Sequence, residues 1–366
     1  YISLQKDGIL FKMRRTQDLP DKESATMFFQ DCKLSHQAQI TGISHSVKEI
    51  LPPDLLDLTQ LQKEANIRYG YTASEVYDIA QSLYEKKLIS YPRTSSRYLT
   101  EDVFDSLSPI MAHLLSWELF PAAKGTGGID ISCLSRHVIN SEKANVHHAI
   151  IITGIRPGNL SEKEMQVYRL VAGRMLEAFM APCRIETTNV EAVCAAQHFK
   201  AEQTRIIEAG WHDVFMHSDM VPKSGYSVNE LPEVKKGDNL NVCGCNMVHK
   251  KELPVDPFTD AELVEYMEQN GLGTVSSRTN IIRTLVNRKY IRYSGKYIVP
   301  TPKGMFTYET IRGKKIADTS LTADWEKQLA GLESGMITGQ DFLNRIRTLA
   351  KEMTDDIFNT YSTKEE

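Results

Sequence analysis

"TASEVYDIAQSLYEKKLISYPRTSSRYLT", Thr72 to Thr100, changes its periodicity part-way along. Its first part is helical. Thr72 and Glu75 stand at capping-box spacing, and Val76, Ile79, Ala80 and Leu83 recur along one helix face. After Lys87 that period stops, and "LIS" runs extended into Tyr91, Pro92, Arg93, three hydroxyls and Arg97. Upstream, "LTQLQKEANIRYG" reads as a shorter helix ended by Gly70. Helix, glycine turn, helix and extended exit make a helix-turn-helix-like unit that delivers Tyr91 beyond its end.

On either side of this block the pattern is β. "YISLQKDGILFKMRR" has two extended runs joined by Asp7-Gly8, a hairpin signal, and the chain reads as strand-rich to about Lys48. Pro52-Pro53 punctuates it. The sequence opens inside a fold without an initiator Met, which reads as a piece whose N-terminal part has been removed. "AKGTGGIDISCLSRHVINSEKANV" is a glycine-rich, irregular loop, and "SEKEMQVYRLVAGRMLEAFM" an amphipathic helix. From Ala181 to Met247 short alternating runs return. The fold expected is α+β and multidomain: a β domain from two chain segments, residues 1–52 and 181–250, with a helical domain, 53–180, inserted between them.

Residues 251–366 are expected as a third domain. Thr259 and Glu262 form another capping box, Asn270-Gly271 closes that helix, and "SSRTNIIRTLVNRKYI" follows with Ile281, Ile282, Leu285 and Val286 on one side. A hairpin around Ser294-Gly295 completes the outline of a winged helix. "LVNRKYIR" echoes "LYEKKLIS" of the first helical unit, the mark of a repeated unit.

A chain of 366 residues accommodates two or three domains, and 41% hydrophobic with 25% charged residues is ordinary globular composition. Net charge is −4, so a polyanion site has to come from local clusters such as "YEKKLISYPRTSSR" or "TNIIRTLVNRKYIRYSGK". The six cysteines are scattered, as reduced thiols are. Cys243-Gly-Cys245 with His249 lacks a second pair at ligand spacing, and reads as a strand with two small buried thiols. No apolar run reaches the roughly 20 residues of a membrane span, and no signal peptide precedes Tyr1, so a cytoplasmic location is expected.

A phenol with its ordinary pKa of about 10 is a weak nucleophile, and neighbouring cations favour the phenolate. Arg93 can grip two phosphate oxygens and offset charge in a transition state. Thr94, Ser95 and Ser96 can donate to neighbouring phosphates, and Pro92 stiffens the turn. The residues taken alone leave another reading open, a tyrosine packed at a strand end with solvated arginines behind it.

"YPRTSS" resembles the active-site motif of type IA DNA topoisomerases, commonly Tyr-Pro-Arg-Thr-Asp-Ser. "VHHAIIITG", Val146 to Gly154, resembles that family's His-His-Ala-Ile-Ile-Pro-Thr stretch. "NGLGTVSSRTNIIRTLVNRKYI" looks like its Gly-Ile-Gly-Thr-Pro-Ala-Thr-Arg helix-turn, and "LTADWEKQLAGLESG" is similar to the element after it. The resemblance runs in order over nearly the whole chain and is nearest to the topoisomerase III branch. It implies a β arch formed by the two β segments, an inserted helical domain bearing the tyrosine, and a C-terminal winged-helix-like domain.

The resemblance implies that Tyr91 is the nucleophile that takes the 5′-phosphate of a cleaved single strand, with strand passage and resealing without ATP. Arg93 matches the arginine on the scissile phosphate and His147 the motif histidine, with His148 the weaker match. Thr94, Ser96, Arg97, Ser277 and Arg278 are the expected DNA contacts. Ser95 stands where Asp is common, Ile152 where Pro is, and Val275-Ser276-Ser277 replaces Pro-Ala-Thr. Family members also carry an N-terminal Toprim domain with an acidic Mg²⁺ cluster, and no glycine-flanked acidic triad is found here. Glu101, Asp102 and Asp105 read as the acidic first turn of a helix. Mg²⁺ is therefore expected only through the missing domain, with no metal or cofactor in this chain, and the fragment alone is expected to be inactive. Expected partners are single-stranded DNA and that domain, with no membrane, and the chain a monomer. The rival readings are a non-enzymatic winged-helix DNA-binding protein and a site-specific recombinase, whose Arg-His-x-x-Arg pattern is not visible.

Overall fold

The structure, a computed structural model, describes residues 1–117, 119–120, 136–144, 147–216, 231–248 and 256–362. Most of the glycine-rich stretch expected as a loop lies outside them, as do Cys133, Val146 and His249. In chain order the first elements are β1 (Ile2–Lys6), β2 (Ile9–Arg15), α1 (Lys22–Leu34), β3 (Gln37–Ile50), α2 (Leu58–Tyr69), α3 (Ala73–Glu85), α4 (Glu101–Asp105), α5 (Leu107–Ser116) and α6 (Glu162–Phe179). Then follow β4 (Cys183–Cys194), β5 (Gln197–Glu208), α7 (Asp213–Met216), β6 (Asn239–Cys245), α8 (Asp260–Gln269) and α9 (Val275–Asn287). The last are β7 (Ile291–Ser294), β8 (Tyr297–Pro300), α10 (Pro302–Ile311), α11 (Thr319–Glu333) and α12 (Gly339–Ser362). No helix among the described residues is long and apolar enough to cross a membrane.

The chain divides into two compact units. The first comprises Tyr1–Pro53, Phe120–Ser135 and Leu176–Pro254, and the second Asp54–Leu119, Arg136–Met175 and Val255–Glu366. The stretch after Val255, expected as a domain of its own, is grouped with the helices around Tyr91.

The first unit is a closed antiparallel barrel with strand order β1-β2-β5-β4-β3-β6. Asp7 and Gly8 take φ of 51° and 82° between the paired Lys6 and Ile9, a primed turn whose twist matches the strands. Alternation along the strands turns Ile2, Leu4, Phe11, Met13, Ile40 and Phe199 into the core. β3 outruns that core: Ser44 to Glu49 are exposed while still paired with β4. Two expectations are corrected here. The stretch before Lys48 contains a helix, α1, started by Asp21, whose carboxylate accepts from Ser24 N at 2.7 Å. Cys243 and Cys245 do lie on a strand, but Leu240 faces inward, so a period of two puts Cys243 on the exposed side, with Cys245 half-buried.

The second unit is helical, and its helix ends are written locally. Capping boxes form at Thr72/Glu75 and Thr259/Glu262, and α2 stops at Gly70 with φ 72°. Ala73, Val264, Met267 and Ile282 form one apolar cluster among α3, α8 and α9. α9 is turned differently from expectation: Arg278, Thr279 and Ile282 are buried, while Ile281 is exposed. The cause is polar, since Gln62 Nε2 donates to Thr279 Oγ1 at 2.9 Å and draws that face inward. The β7–β8 turn is Gly295-Lys296, one residue later than expected.

The sequence echo extends to the backbone. Lys87 and Lys289 each follow their helix with φ 59°. Leu88 N then donates to Leu83 O at 3.0 Å, and Tyr290 N to Leu285 O at 2.9 Å. Both chains leave extended, through Ile89 and Ile291. Aligned position for position, Tyr293 stands where Tyr91 stands.

Two substitutions test this packing. α10 begins against the end of α9: Thr301 Oγ1 donates to Lys289 O at 2.6 Å and accepts from Gly304 N at 3.1 Å. A Cβ on Gly304 would lie 2.0 Å from Tyr290 O, so Gly304→Ala is expected to destabilise by about 2 kcal/mol in urea unfolding. Glu164, at the start of α6, accepts from Lys86 Nζ at 2.5 Å and Ser82 Oγ at 2.7 Å, and these bonds pull its pKa from 4.5 down to about 2. Below about 4.5 the unfolded chain takes up a proton that the folded chain resists, so this stability is present above that pH and is lost as pH falls towards 2. Glu164→Gln should flatten the acid limb of a pH–stability curve between those values.

Candidate active site

α3 carries Tyr77, Gln81 and Tyr84 at helical spacing on one face, beside the buried Val76, Ala80 and Leu83. The positive-φ exit at Lys87 then turns the chain back along that face. Tyr91, half-buried, packs with ring centroids 5.4 Å from Tyr84 in an edge-on pair and 4.6 Å from His147. His147 is exposed on its other side. The Arg93 guanidinium lies over the Tyr77 ring at 5.1 Å and donates from Nη2 to Gln81 Oε1 at 3.2 Å. Its Nε is buried without a hydrogen-bond partner.

The two sequence segments meet because their backbones pair. Ser90 N donates to Ile151 O at 2.8 Å, Thr153 N to Leu88 O at 3.1 Å and Ala149 N to Tyr98 O at 2.9 Å. Ser90 Oγ adds a bond to Ala149 O at 3.1 Å and accepts from Ile151 N at 3.0 Å. Thr94 Oγ1 donates to His147 O at 2.8 Å and accepts from Ser96 N at 3.0 Å. His148 points its Nδ1 at Ala149 O, 2.7 Å away, so that nitrogen carries the proton.

Tyr91, Arg93 and His147 are thus in one place. The side chains expected on DNA have hydrogen-bond partners within the chain. Thr94 and Ser96 are each 3% exposed, and the Ser96 hydroxyl donates to Lys143 O at 2.8 Å, so these groups brace the loop. Arg97 Nε donates to Asp57 Oδ2 at 2.6 Å. Ser277 Oγ accepts from Thr274 N at 2.8 Å and belongs to a helix cap. Arg278 is buried, with Nη1 3.1 Å from Glu268 Oε1. Thr94, Ser96 and Arg278 are buried, while Arg97 and Ser277 are half-buried. Tyr77, Gln81 and Tyr84 went unread in the sequence, although their i, i+4, i+7 spacing beside the apolar stripe marks a second ordered face. Asp57 was missed too; the Asp three residues before Gln60 is a cap signal.

Tyr293, at the matching backbone position, has different surroundings from Tyr91. Burial raises the Tyr293 pKa, and its hydrogen bond to Asp260 raises it further, because a carboxylate opposes a phenolate. Tyr91 has an imidazole and an edge-on aromatic ring against it at the same backbone position.

The acidic residues after the tyrosine do not form a metal site. Arg136 bonds Glu101, and Asp102 accepts from Thr100 at the start of α4. No group of three or more His, Cys, Asp or Glu among the described residues is placed to hold a metal ion. Since one hydroxyl ties His147 to the loop, Thr94→Val is expected to cost about 1–3 kcal/mol in thermal unfolding by orphaning a buried carbonyl and N–H. It should also release the Tyr91–His147 contact, read as a shift in the His147 ring proton resonances.

The sequence family described as DNA topoisomerase matches residues 2–344. The DNA topoisomerase 3 of Bacillus licheniformis is 32% identical over 348 residues, covering 87% of this chain and 47% of that protein. That of Shouchella clausii is 30% identical over 384 residues, covering 96% and 51%. The chain spans about half the length of the curated relatives it matches. Full-length topoisomerase I from Thermotoga maritima superposes with a TM-score of 0.74 over 96% of this chain and 58% of that one, and at 22% identity this shows the fold alone. A chain with this fold, matched from its first strand into its last helix, belongs to the DNA topoisomerase family, in its type IA, topoisomerase III-like branch.

Proposed function

We propose that this chain carries the nucleophile half of a type IA topoisomerase, which cleaves and reseals single-stranded DNA through Tyr91. One observation carries the reading: the Tyr91 ring is held between His147 and Tyr84, with the unpartnered donor of Arg93 two residues on. A buried donor without an acceptor is disfavoured unless a ligand completes it. A phosphate oxygen is the acceptor that a guanidinium fits best.

In the proposed step the Tyr91 hydroxyl oxygen bonds to phosphorus and the P–O3′ bond breaks. The phenol proton leaves Tyr91 as a proton goes to O3′, so the atoms balance and a 5′-phosphotyrosine remains. Resealing is the reverse, and needs no ATP because bond energy is retained in the ester. Arg93 would stabilise charge on the non-bridging oxygens, and the exposed face of His147 would line the strand. Exposed aromatics and local cations would hold the single strand.

Helices α8 and α9 with the β7–β8 hairpin make a winged-helix-like module in this reading, and β3, β4 and β5 contribute to an arch. We assign Mg²⁺ and its carboxylates to a Toprim domain in the part of the relatives that this chain does not span. A monomer working in the cytoplasm, where thiols stay reduced, completes the proposal.

The test joins the chain, in cis or in trans, to such a domain with Mg²⁺ and a labelled oligonucleotide. A denaturant-resistant adduct on the 5′ side of the break is expected, and none with Tyr91→Phe. The chain alone should bind single strands in a salt-sensitive manner and form no adduct. An adduct that persists in Tyr91→Phe, or one on the 3′ side, would overturn the reading.

A further inference from the structure

We infer that Asp57 is a positioning residue for Tyr91, acting through Arg97. The inference rests on Tyr91 being the nucleophile. The loop that carries Tyr91 is gripped by the N-terminus of α2 at two points: Leu58 N donates to Thr94 O at 3.1 Å, and Arg97 Nε to Asp57 Oδ2 at 2.6 Å. Asp57 is 2% exposed, and its other oxygen caps α2 by accepting from Gln60 N at 2.7 Å. Capping alone calls for a single acceptor, which Ser, Thr or Asn provides without a charge. A buried carboxylate is the worst choice for that task unless its second oxygen has an ionic partner. Burial indeed pushes the Asp57 pKa up, against the pull of Gln60 and Arg97.

Arg97 is the reason for the charge. A carboxylate with one oxygen committed to the helix and the other to the loop fixes one against the other. The grip extends further: Thr59 Oγ1 donates to Glu268 Oε1 at 3.2 Å, and Arg278 Nη1 to the same oxygen at 3.1 Å. The loop is thereby referred, through α2, to α8 and α9. A nucleophile must be held to within a fraction of an ångström, and loops do not supply that unaided.

Asp57→Asn separates the two duties. Asparagine keeps the acceptor for Gln60 and turns an NH₂ towards Arg97, so the cap survives and the clamp does not. In the 366-residue chain, amide exchange at Leu58 and Ser96 should quicken about tenfold or more, with helix content unchanged by circular dichroism. In the enzyme completed with its Toprim domain, adduct formation at saturating single strand should slow by about ten- to a hundredfold. Strand affinity and its salt dependence should be unchanged. Arg97→Gln should behave alike, and the double variant no worse than either single one. Unchanged exchange with an unchanged rate in Asp57→Asn overturns the inference. So does an Arg97→Gln whose loss is weaker binding with a shallower salt slope, which is the mark of a phosphate contact. A completed wild-type enzyme that forms no adduct overturns instead the reading of Tyr91, even where the exchange result shows the clamp.

Discussion

One oxygen, Thr94 Oγ1, donates to the carbonyl of His147 and accepts the amide of Ser96. Everything proposed for Tyr91 depends on this pair of bonds and on the backbone rungs at Ser90, Thr153 and Ala149 that flank it. Two irregular segments far apart in the chain satisfy several of their main-chain groups on each other, and further backbone bonds tie them to Leu56, Leu58 and Val138. The Tyr91 and His147 rings meet as a consequence of that pairing. The aromatic contact is a product of the backbone arrangement, with its own attraction a smaller term.

The repeated unit shows how the surroundings set chemistry at a fixed backbone position. Both copies end in a lysine with positive φ and leave extended towards a tyrosine. In one, the phenol sits against a carboxylate and is held protonated. In the other, it sits against an imidazole, with an unsatisfied guanidinium donor two residues on. Backbone geometry delivers a phenol.

The hydroxyls and arginines expected on DNA also have partners within the chain. Thr94, Ser96, Arg97, Ser277 and Arg278 have the donors that DNA phosphates want, and each spends them on a carbonyl, a carboxylate or a helix cap. A sequence lists donors without stating where they point. Burial separates the two uses, since an enclosed donor must be matched inside the protein. Arg93 and Arg278 each keep one nitrogen enclosed and unmatched, and of the two only Arg93 lies two residues from Tyr91.

What could be read from the chain before any coordinates was local. The capping boxes at Thr72 and Thr259, the Asp7-Gly8 turn and the helical stripe through Val76, Ala80 and Leu83 each involve residues a few positions apart. Short-range sterics and hydrogen bonds suffice to specify them. The order of the four family motifs was equally plain, and so was the tyrosine. The helix before β3 went unread although its Asp21–Ser24 cap is local, whereas the rotation of α9 was not legible. Nor was the bond between Asp57 and Arg97, because each depends on a partner dozens to hundreds of residues away. Periodicity says that a face is ordered. Which neighbour claims it is settled when distant polar and apolar groups compete for the same enclosed space.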